Sequence, residues 1–351
     1  MKRTYFLFAL LGFIFFSGCK KDFDLTAPYQ EIPVVYGLLN KNETTHYIRI
    51  QKAYLIDGNA YPAAGVSDSV YYNDSITVKL IGYDVNRNRK DSFLLHKVDG
   101  NLLGLPKDSG LFANTPNILY TFNATLNVSR SYKLEISRNG KMLAHTSDDP
   151  RLNILLIDKM TINTPINAIT GYKINLQNKY ASGLSWYSQP NAGVYDLTVR
   201  FYYREYLTAD NSLQKDAYVD VPFFKSLLSD YVSGGTVKSE FTADILLTNL
   251  AKNLVTSPSV YRQFVKMDFI FAAGGIDLAL LVNSQQAQNG ITSGEALPPY
   301  SNIINGTGIL SSRVFTTVDS VMLTNNGLDT LSGSPITCPL RFKNHLGNIC
   351  N

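Results

Sequence analysis

Hydrophobic and polar residues alternate in short segments along the first half of the chain. These segments are residues 33–39, 46–55, 75–85, 92–98, 118–126, 132–136 and 141–146. A period of two residues is typical of a strand with one buried face, and Asn139-Gly140 between the last two segments favours a hairpin turn. About seven short strands separated by turns predict an antiparallel β-sandwich of immunoglobulin or fibronectin type.

The second half of the chain mixes strand and helix patterns. Strands are predicted at 152–162, 173–177, 195–206, 263–271 and 313–323, and helices at 221–231, 242–254 and 276–283. Thr242 is a suitable N-cap for the second helix, and the Gln-, Gly-, Ser- and Pro-rich segment 285–299 indicates a surface loop. We therefore expect a mainly β protein whose second part is an α+β or helix-decorated β domain.

A turn-forming segment separates the two parts. Ser147-Asp148-Asp149-Pro150 combines acids that favour turns with a proline that disfavours helix before it. We predict a β-sandwich domain at residues 31–148 and an α+β domain with a C-terminal tail at residues 149–351.

The start of the chain has the pattern of a bacterial lipoprotein signal peptide. Two basic residues precede an apolar segment at 5–16, and Ser17-Gly18-Cys19 follows shortly after it. The apolar segment is shorter than the roughly 20 residues that a membrane-spanning helix needs, so cleavage is favoured. The pattern predicts a signal peptide at 1–18 and lipidation of Cys19. A simple secretory peptide with a coincidental cysteine and an uncleaved anchor are the alternatives.

Lipidation of Cys19 would hold the mature protein at a membrane surface. Residues 19–30 lack a hydrophobic period and form the predicted lipidated tether. Two or more acyl chains suffice for stable anchoring. Asp22 and Asp24, close behind Cys19, resemble the acidic export tags that send some lipoproteins of Bacteroidetes-type bacteria to the outer face of the outer membrane.

Composition restricts the class of protein. Hydrophobic residues make up 45% of the chain and charged residues 17%, which indicates a globular rather than a disordered protein. The formal net charge is +4 and no segment concentrates basic residues, so we expect no nucleic-acid partner. The 22 Tyr and 18 Phe, against one Trp, further favour strands.

Two cysteines lie near the C-terminus. In an oxidising compartment Cys338 and Cys350 can close a small loop through a disulfide. Two free thiols in a loose tail are the alternative, because a sequence does not show whether the two Cβ atoms face each other.

No catalytic or metal-binding motif stands out. None of the four histidines has a second ligand at metal spacing, so we predict no metal site and no cofactor. Asp84-x-Asn86-x-Asn88 resembles the start of a calcium loop, but Arg89 and Leu95 stand where such a loop needs Gly and Glu, which favours a polar hairpin turn. Asn305-Gly306-Thr307-Gly308 predicts a tight turn before the last strand rather than a phosphate loop.

Aromatic residues are the strongest candidates for ligand contacts. Trp186 and Tyr187 fall in a polar, glycine-containing segment at 182–193 that we interpret as a loop. Aromatic rings stack on sugar faces and carry a polar edge, so these two residues can contact a carbohydrate or a peptide. Core packing is the alternative for both.

Two segments carry a resemblance to a family. Residues 32–39 (IPVVYGLL) with 46–55 (HYIRIQKAYL), and residues 300–313 (YSNIINGTGILSSR), resemble the first strands and the C-terminal segment of uncharacterised outer-membrane lipoproteins of Bacteroidetes-type bacteria. The resemblance covers about 30 residues and implies an exported lipoprotein with an N-terminal sandwich that accompanies nutrient-uptake or adhesion systems.

These observations favour one functional hypothesis over another. We expect a lipid-anchored outer-membrane protein, on the periplasmic or cell-surface face, that acts as a non-enzymatic binding or assembly module. Its partners would be the membrane, through the N-terminal lipid, and an outer-membrane protein or a polysaccharide or peptide ligand. A cell-surface hydrolase that acts on glycans or peptides is the alternative, and it predicts two carboxylates in one cleft.

Overall fold

Strands dominate the structure, as the alternating pattern predicts. The computed structural model describes residues 32–53, 61–72, 76–149, 152–162, 173–176, 182–229, 234–288 and 300–350. The described strands are β1 (Ile32–Leu39), β2 (Thr45–Ala53), β3 (Ile76–Tyr83), β4 (Arg89–Asp99), β5 (Ile118–Asn123), β6 (Ser131–Arg138), β7 (Lys141–His145), β8 (Ile154–Leu155), β9 (Lys173–Ile174), β10 (Ser182–Tyr187), β11 (Ala192–Leu207), β12 (Leu213–Leu228), β13 (Thr236–Phe241), β14 (Val260–Gly275) and β15 (Thr307–Leu323). The prediction of a mainly β fold is confirmed.

The described residues contain five α-helices, of which the two in the first half of the chain are four residues long and the three longer ones lie in the second half. The α-helices are α1 (Tyr61–Ala64), α2 (Ser67–Val70), α3 (Ala243–Asn253), α4 (Ile276–Gln288) and α5 (Asn325–Gly333), with 3-10 turns at Gly100–Leu103 and Cys338–Leu340. Helix α3 coincides with the predicted helix at 242–254, and Thr242 is its N-cap residue. Helix α4 is longer than predicted, so the first residues of the predicted loop at 285–299 are helical, and 289–299 lie outside the described residues.

The N-terminal strands form a β-sandwich-like arrangement. Strand β4 pairs with β3 through its first half, up to Leu95, and with β5 from His96 onward, so one strand passes between two sheet segments. The predicted alternation holds on β6, where every second residue from Tyr132 to Ile136 is fully buried. Asn139 and Gly140 both have positive φ angles and form the predicted hairpin turn between β6 and β7.

The C-terminal strands are long and antiparallel. Strand β11 lies between β12 and β14, and β15 extends the sheet beyond β14. Leu197, Val199 and Phe201 on one face of β11 are fully buried, while Arg200 on the other face pairs with Asp220 of β12. Helix α3 covers the buried face with Leu246, Leu247 and Leu250.

The predicted helix at 221–231 is wrong. Residues 221–228 belong to strand β12, where Val221 and Phe223 are buried and Pro222 between them is exposed. Pro222 is compatible with this position because β12 lies at an edge of the sheet, where a missing backbone donor breaks no strand pairing. Several apolar residues in a row within 221–228 hide the period of two residues that would identify a strand.

Strand β15 connects the two ends of the chain. Its first residues pair in parallel with β1 and its later residues pair antiparallel with β14, which makes the large sheet mixed. Gly308 lies at this junction with φ +100°, and a Cβ there would overlap the carbonyl oxygen of Val35. Asn305, two residues before β15 begins, also has a positive φ, which agrees with the predicted tight turn before this strand.

Two hydrophobic clusters form the interior. One contains buried residues between Val35 and Leu156 together with Ile303 and Leu310, and the other runs from Ile157 to Phe342. Residues Ile32–Asn351 form one compact unit, in which β15 contributes to both clusters. The boundary between 148 and 149 therefore stays a prediction.

Candidate functional site

A cavity of about 430 Å³ lies at the N-terminus of helix α4. Its lining residues come from 146–147, 152–155, 275–280 and 300–304, with Asn191 and Ser311 completing the wall. Its apolar lining consists of Leu152, Leu155, Ile276, Leu280, Ile303 and Ile304. Concave, largely apolar sites of this size with a few polar groups are typical of small-ligand binding.

Three contacts hold the segments around this cavity together. Gly275 ends β14 immediately before α4, and a Cβ at this position would come within 2.7 Å of the Ser311 hydroxyl oxygen. Asn302 fastens the facing segment, since its Oδ1 accepts from the Leu310 amide at 3.0 Å and its Nδ2 donates to the Leu310 carbonyl at 2.7 Å. Ile304 and His145 exchange two backbone hydrogen bonds. These contacts hold the lining segments in place.

Asp277 is the charged group of the cavity. It lies in the first turn of α4, where a carboxylate interacts favourably with the helix dipole. Its Oδ1 accepts a hydrogen bond from the Tyr300 hydroxyl at 2.7 Å, and the Asn302 side chain bonds to it as well. Burial raises the pKa of Asp277 above its ordinary value, and burial together with the adjacent carboxylate raises the pKa of Tyr300.

Asn153 also lines the cavity, although its side-chain oxygen is closed off from solvent. Its side chain is only 5% exposed, and its Oδ1 has no hydrogen-bond partner. Its Nδ2 makes a long contact of 3.5 Å with the Ser131 hydroxyl. Buried acceptors without a partner are uncommon, because each one loses its bonds to water without replacement.

The sequence did not reveal this group of residues. Tyr300, Asn302 and Ile303 lie in the segment that resembles the lipoprotein family, but the resemblance assigned them no role. Asp277 follows Gly274-Gly275 at the start of a predicted helix, where an acid is ordinary. Asn153 falls in a predicted strand and carried no signal of its own.

Trp186 is not an exposed ligand contact, which corrects the interpretation of 182–193 as a loop. It lies on strand β10, paired with β13, and its side chain is 0% exposed. Its ring packs on Tyr195, Phe224 and Phe271 at centroid distances of 5.4 to 5.6 Å. The alternation of β10 turns Tyr187 to the other face, where it is 47% exposed, so Tyr187 alone stays a candidate for ligand contact.

Two of the three cysteines lie among the described residues. Cys338 and Cys350 form a disulfide whose Cα atoms are 5.3 Å apart, rather than two free thiols in a loose tail. Cys19, the predicted lipidation site, lies outside the described residues, as do the signal peptide and the tether. Lipidation therefore stays a prediction.

Other candidate sites are simple structural features. Asp84 accepts hydrogen bonds from the backbone amides of Asn86 and Asn88 in the hairpin turn between β3 and β4. Within the described ranges, no group of three or more His, Cys, Asp or Glu side chains is placed to hold a metal ion. No helix in the described part of the chain combines the length and apolarity needed to span a membrane.

Comparisons with known proteins give only distant similarity. No protein-family model matches the sequence, and no curated protein matches it. Among solved structures, the chain is similar to part of the native conformation of E. coli alpha-2-macroglobulin, at 14% identity over 71% of this chain and 13% of that chain, with a TM-score of 0.20. The trypsin-activated alpha-2-macroglobulin from E. coli is similar at 13% identity over 70% of this chain and 14% of that chain, with a TM-score of 0.17. The chain thus spans a small fraction of the length of either structure.

Proposed function

We propose that this protein is an outer-membrane lipoprotein, anchored through Cys19, that acts as a non-enzymatic binding module with its ligand site in the α4 cavity. The observation that carries the proposal is a cavity of about 430 Å³ with apolar walls and a few convergent polar groups. Anchoring rests on the lipoprotein pattern at residues 1–19, which implies that the folded part works beside a bilayer.

The carboxylate content of the cavity supports binding over glycoside hydrolysis. Hydrolysis of this kind generally uses two carboxyl groups about 5 to 10 Å apart. Among the described residues that line the cavity, Asp277 is the single carboxylate. A lone carboxylate can orient a ligand, but it cannot serve as both acid and base in that reaction.

A cavity-filling variant tests the binding function. Leu155 lines the cavity and is partly exposed, so Leu155→Trp should obstruct the site without unfolding the protein. Leu94→Trp on β4 is the matched control, since Leu94 is also partly exposed but does not line the cavity. The assay is ligand-observed NMR with a mixture of oligosaccharides, short peptides and small amphiphiles, followed over time for turnover.

We expect saturation transfer to at least one component with the wild type and Leu94→Trp, and its loss with Leu155→Trp. No transfer to any component, or transfer that Leu155→Trp leaves unchanged, would contradict a ligand site in this cavity. Product formation that Leu155→Trp abolishes would instead establish the hydrolase alternative.

Anchoring needs a separate test in cells. Metabolic labelling with an alkyne fatty acid should label the wild-type protein and leave Cys19→Ser unlabelled, and only the wild type should sediment with outer membranes. An unlabelled wild type, or Cys19→Ser that sediments equally, would contradict lipid anchoring.

A further inference from the structure

The segment that connects β4 to β5, residues 100–117, exposes a group of large apolar side chains. Leu102 is 85% exposed, and four others in the same segment are 40 to 50% exposed, namely Leu103, Leu105, Leu111 and Phe112. Single exposed apolar residues are ordinary on a protein surface, but a group of them marks a contact with another molecule. We call these five residues the apolar patch.

Hydrogen bonds within the segment hold the patch at the surface. Asn117 is 1% exposed, and its Nδ2 donates to the Leu105 carbonyl at 2.7 Å. Asp99 Oδ1 accepts from the amides of Asn101 and Asn117. The Asn101 side chain donates to the Asn114 carbonyl at 2.9 Å. These bonds join residues 99–105 to residues 114–117, so the exposed leucines belong to a folded loop.

Charge contributes little to this surface. Lys107 and Asp108 are the charged residues of the segment, and their charges are opposite. The Lys107 ammonium donates to the Ala113 carbonyl at 3.0 Å and lies 5.6 Å from the centroid of the Phe112 ring. A partner of the apolar patch is therefore recognised by apolar contact rather than by charge.

The apolar patch lies at the end of the sheet where the described chain begins. Ile32, the first described residue, pairs with Ala53 at the end of β2. Strand β2 pairs antiparallel with β5, whose first residue Ile118 pairs with Asp99 at the end of β4. The start of β1 and residues 100–117 thus share one end of the sheet, two to three strands or roughly 10 to 15 Å apart.

The predicted tether limits how far this end can lie from a membrane. Residues 19–31 span at most roughly 45 Å when fully extended. A lipid on Cys19 would therefore keep the end that carries Ile32 near the headgroups. Tethering raises the effective concentration of the bilayer at this end, so weak apolar contact is enough for docking.

We propose that the apolar patch inserts into a lipid bilayer and docks the folded part of the protein on the membrane. Its five side chains enter the boundary between headgroups and acyl chains, where apolar surface leaves water. The choice of a bilayer as the partner rests on the proposed anchoring through Cys19. Docking turns the β4–β5 end of the sheet toward the membrane.

Vesicle flotation tests this contact without the lipid anchor. The probe is phosphatidylcholine vesicles, and the protein is the mature chain, residues 19–351, with Cys19→Ser so that no acyl chain contributes. We expect this parent chain to float with the vesicles, and Leu102→Ser combined with Phe112→Ser to lower its partition coefficient by about tenfold. High salt should leave the partition of the parent chain unchanged, because apolar contact is not screened.

Val85→Ser combined with Val255→Ser is the matched control. These valines are 86% and 79% exposed, and Val85 lies between β3 and β4, at the opposite end of β4 from the apolar patch. The control should partition like the parent chain. Unchanged emission of the buried Trp186 shows that all three chains are folded.

Leu102→Trp gives a readout that removes no apolar surface. Trp186 is 0% exposed and provides a constant background. Vesicles should move the emission of the introduced tryptophan to shorter wavelength, and brominated phosphatidylcholine should quench it. Val85→Trp should show neither effect.

Several results would overturn the bilayer contact. These are a parent chain that does not float, equal partition of the Leu102→Ser/Phe112→Ser chain, and unchanged emission of Leu102→Trp. Self-association in place of flotation, abolished by Leu102→Ser with Phe112→Ser, would assign the patch to a second copy of the chain and overturn the bilayer contact as well.

Fatty-acid labelling separates this inference from the proposed function. A wild-type chain that incorporates no fatty acid, together with flotation of the Cys19→Ser chain through the patch, refutes the anchor and keeps the bilayer contact. A labelled wild-type chain whose Cys19→Ser form stays in solution keeps the anchor and refutes the bilayer contact.

Discussion

Arg262 is the buried charge on which the C-terminal segment depends. It lies on β14 and is 3% exposed, and its Nε donates to Glu205 Oε1 at 2.8 Å. Its other nitrogens donate to the carbonyls of Leu340 at 2.8 Å and Val255 at 2.7 Å. The guanidinium therefore ties β11 to the 3-10 turn that contains Cys338.

Replacing Arg262 by Leu should be strongly destabilising. The change leaves Glu205, which is 8% exposed, with Lys215 at 3.1 Å as its remaining cation, and removes the donor of the Leu340 carbonyl. Loss of one partner of a buried ion pair lowers the free energy of unfolding by about 3 to 5 kcal/mol. We expect the lower part of this range, because the partly exposed Lys215 still partly neutralises Glu205.

Urea unfolding followed by fluorescence measures this effect. Trp186 is the single tryptophan, and it belongs to the same hydrophobic cluster as Leu340. The matched control is Arg200→Leu on β11, which removes a two-bond contact with Asp220 on the solvent-facing side of the sheet. An ion pair of that exposure contributes about 1 kcal/mol or less.

The difference in free energy of unfolding between Arg262→Leu and Arg200→Leu tests whether burial strengthens the Arg262 ion pair. If Arg262→Leu and Arg200→Leu lower the free energy of unfolding equally, burial of the Arg262 pair has no energetic consequence and the interpretation is wrong. Combining Arg262→Met with Glu205→Leu should recover much of the loss, because two apolar side chains replace the whole pair and leave no buried charge. A double variant less stable than Arg262→Leu would equally contradict it.

Three further changes test other parts of the fold. Gly308→Ala should lower the free energy of unfolding by roughly 2 to 5 kcal/mol, through positive φ and overlap with β1, whereas Gly140→Ala, with positive φ but open space, should lower it by about 1 kcal/mol in the same urea titration. Burial lowers the pKa of His46 from its ordinary value of 6.5, so its stabilising contribution is complete above that pH and declines as the pH falls. His46→Gln should flatten the pH dependence of thermal unfolding below pH 6.5, and an unchanged pH dependence would contradict this role of His46. Opening the disulfide by Cys338→Ser, which releases a loop of sequence separation 12, should lower the free energy of unfolding by about 3 kcal/mol, and an unchanged urea midpoint would show that the loop is already fixed by other contacts.

Local patterns predicted the elements that depend on local forces. The strand β6 and its Asn139-Gly140 turn were predictable, because alternation and positive φ are properties of neighbouring residues. Helix α3 was predictable for the same reason, since Thr242 and the apolar residues after it mark a helix start. Each of these elements would be identified in isolation.

Elements that depend on tertiary partners were predicted less well. Residues 221–228 have apolar side chains that fit a helix or a strand equally, and pairing of Val221 and Phe224 with β11 decides in favour of the strand. Polar residues and glycines around Trp186 favour a loop, yet pairing of β10 with β13 gives this residue a buried position. The local sequence around these residues does not show which distant strands they will pair with and pack against.

The α4 cavity shows why a site of this kind is hardest to read from a sequence. The polar residues Asn153, Asp277 and Tyr300 that line it come from three separate segments, and β15, which pairs with β14 on one side and in parallel with β1 on the other, lies beside them. Gly308 is the sequence feature that indicates this junction, because a glycine is needed where two backbones approach closely. Asn302, six residues earlier, fastens the segment that carries Tyr300 to β15. The glycine-containing turn and the cavity wall are therefore one structural unit, and a substitution that separates β15 from β1 should weaken ligand binding even though it touches no residue of the cavity.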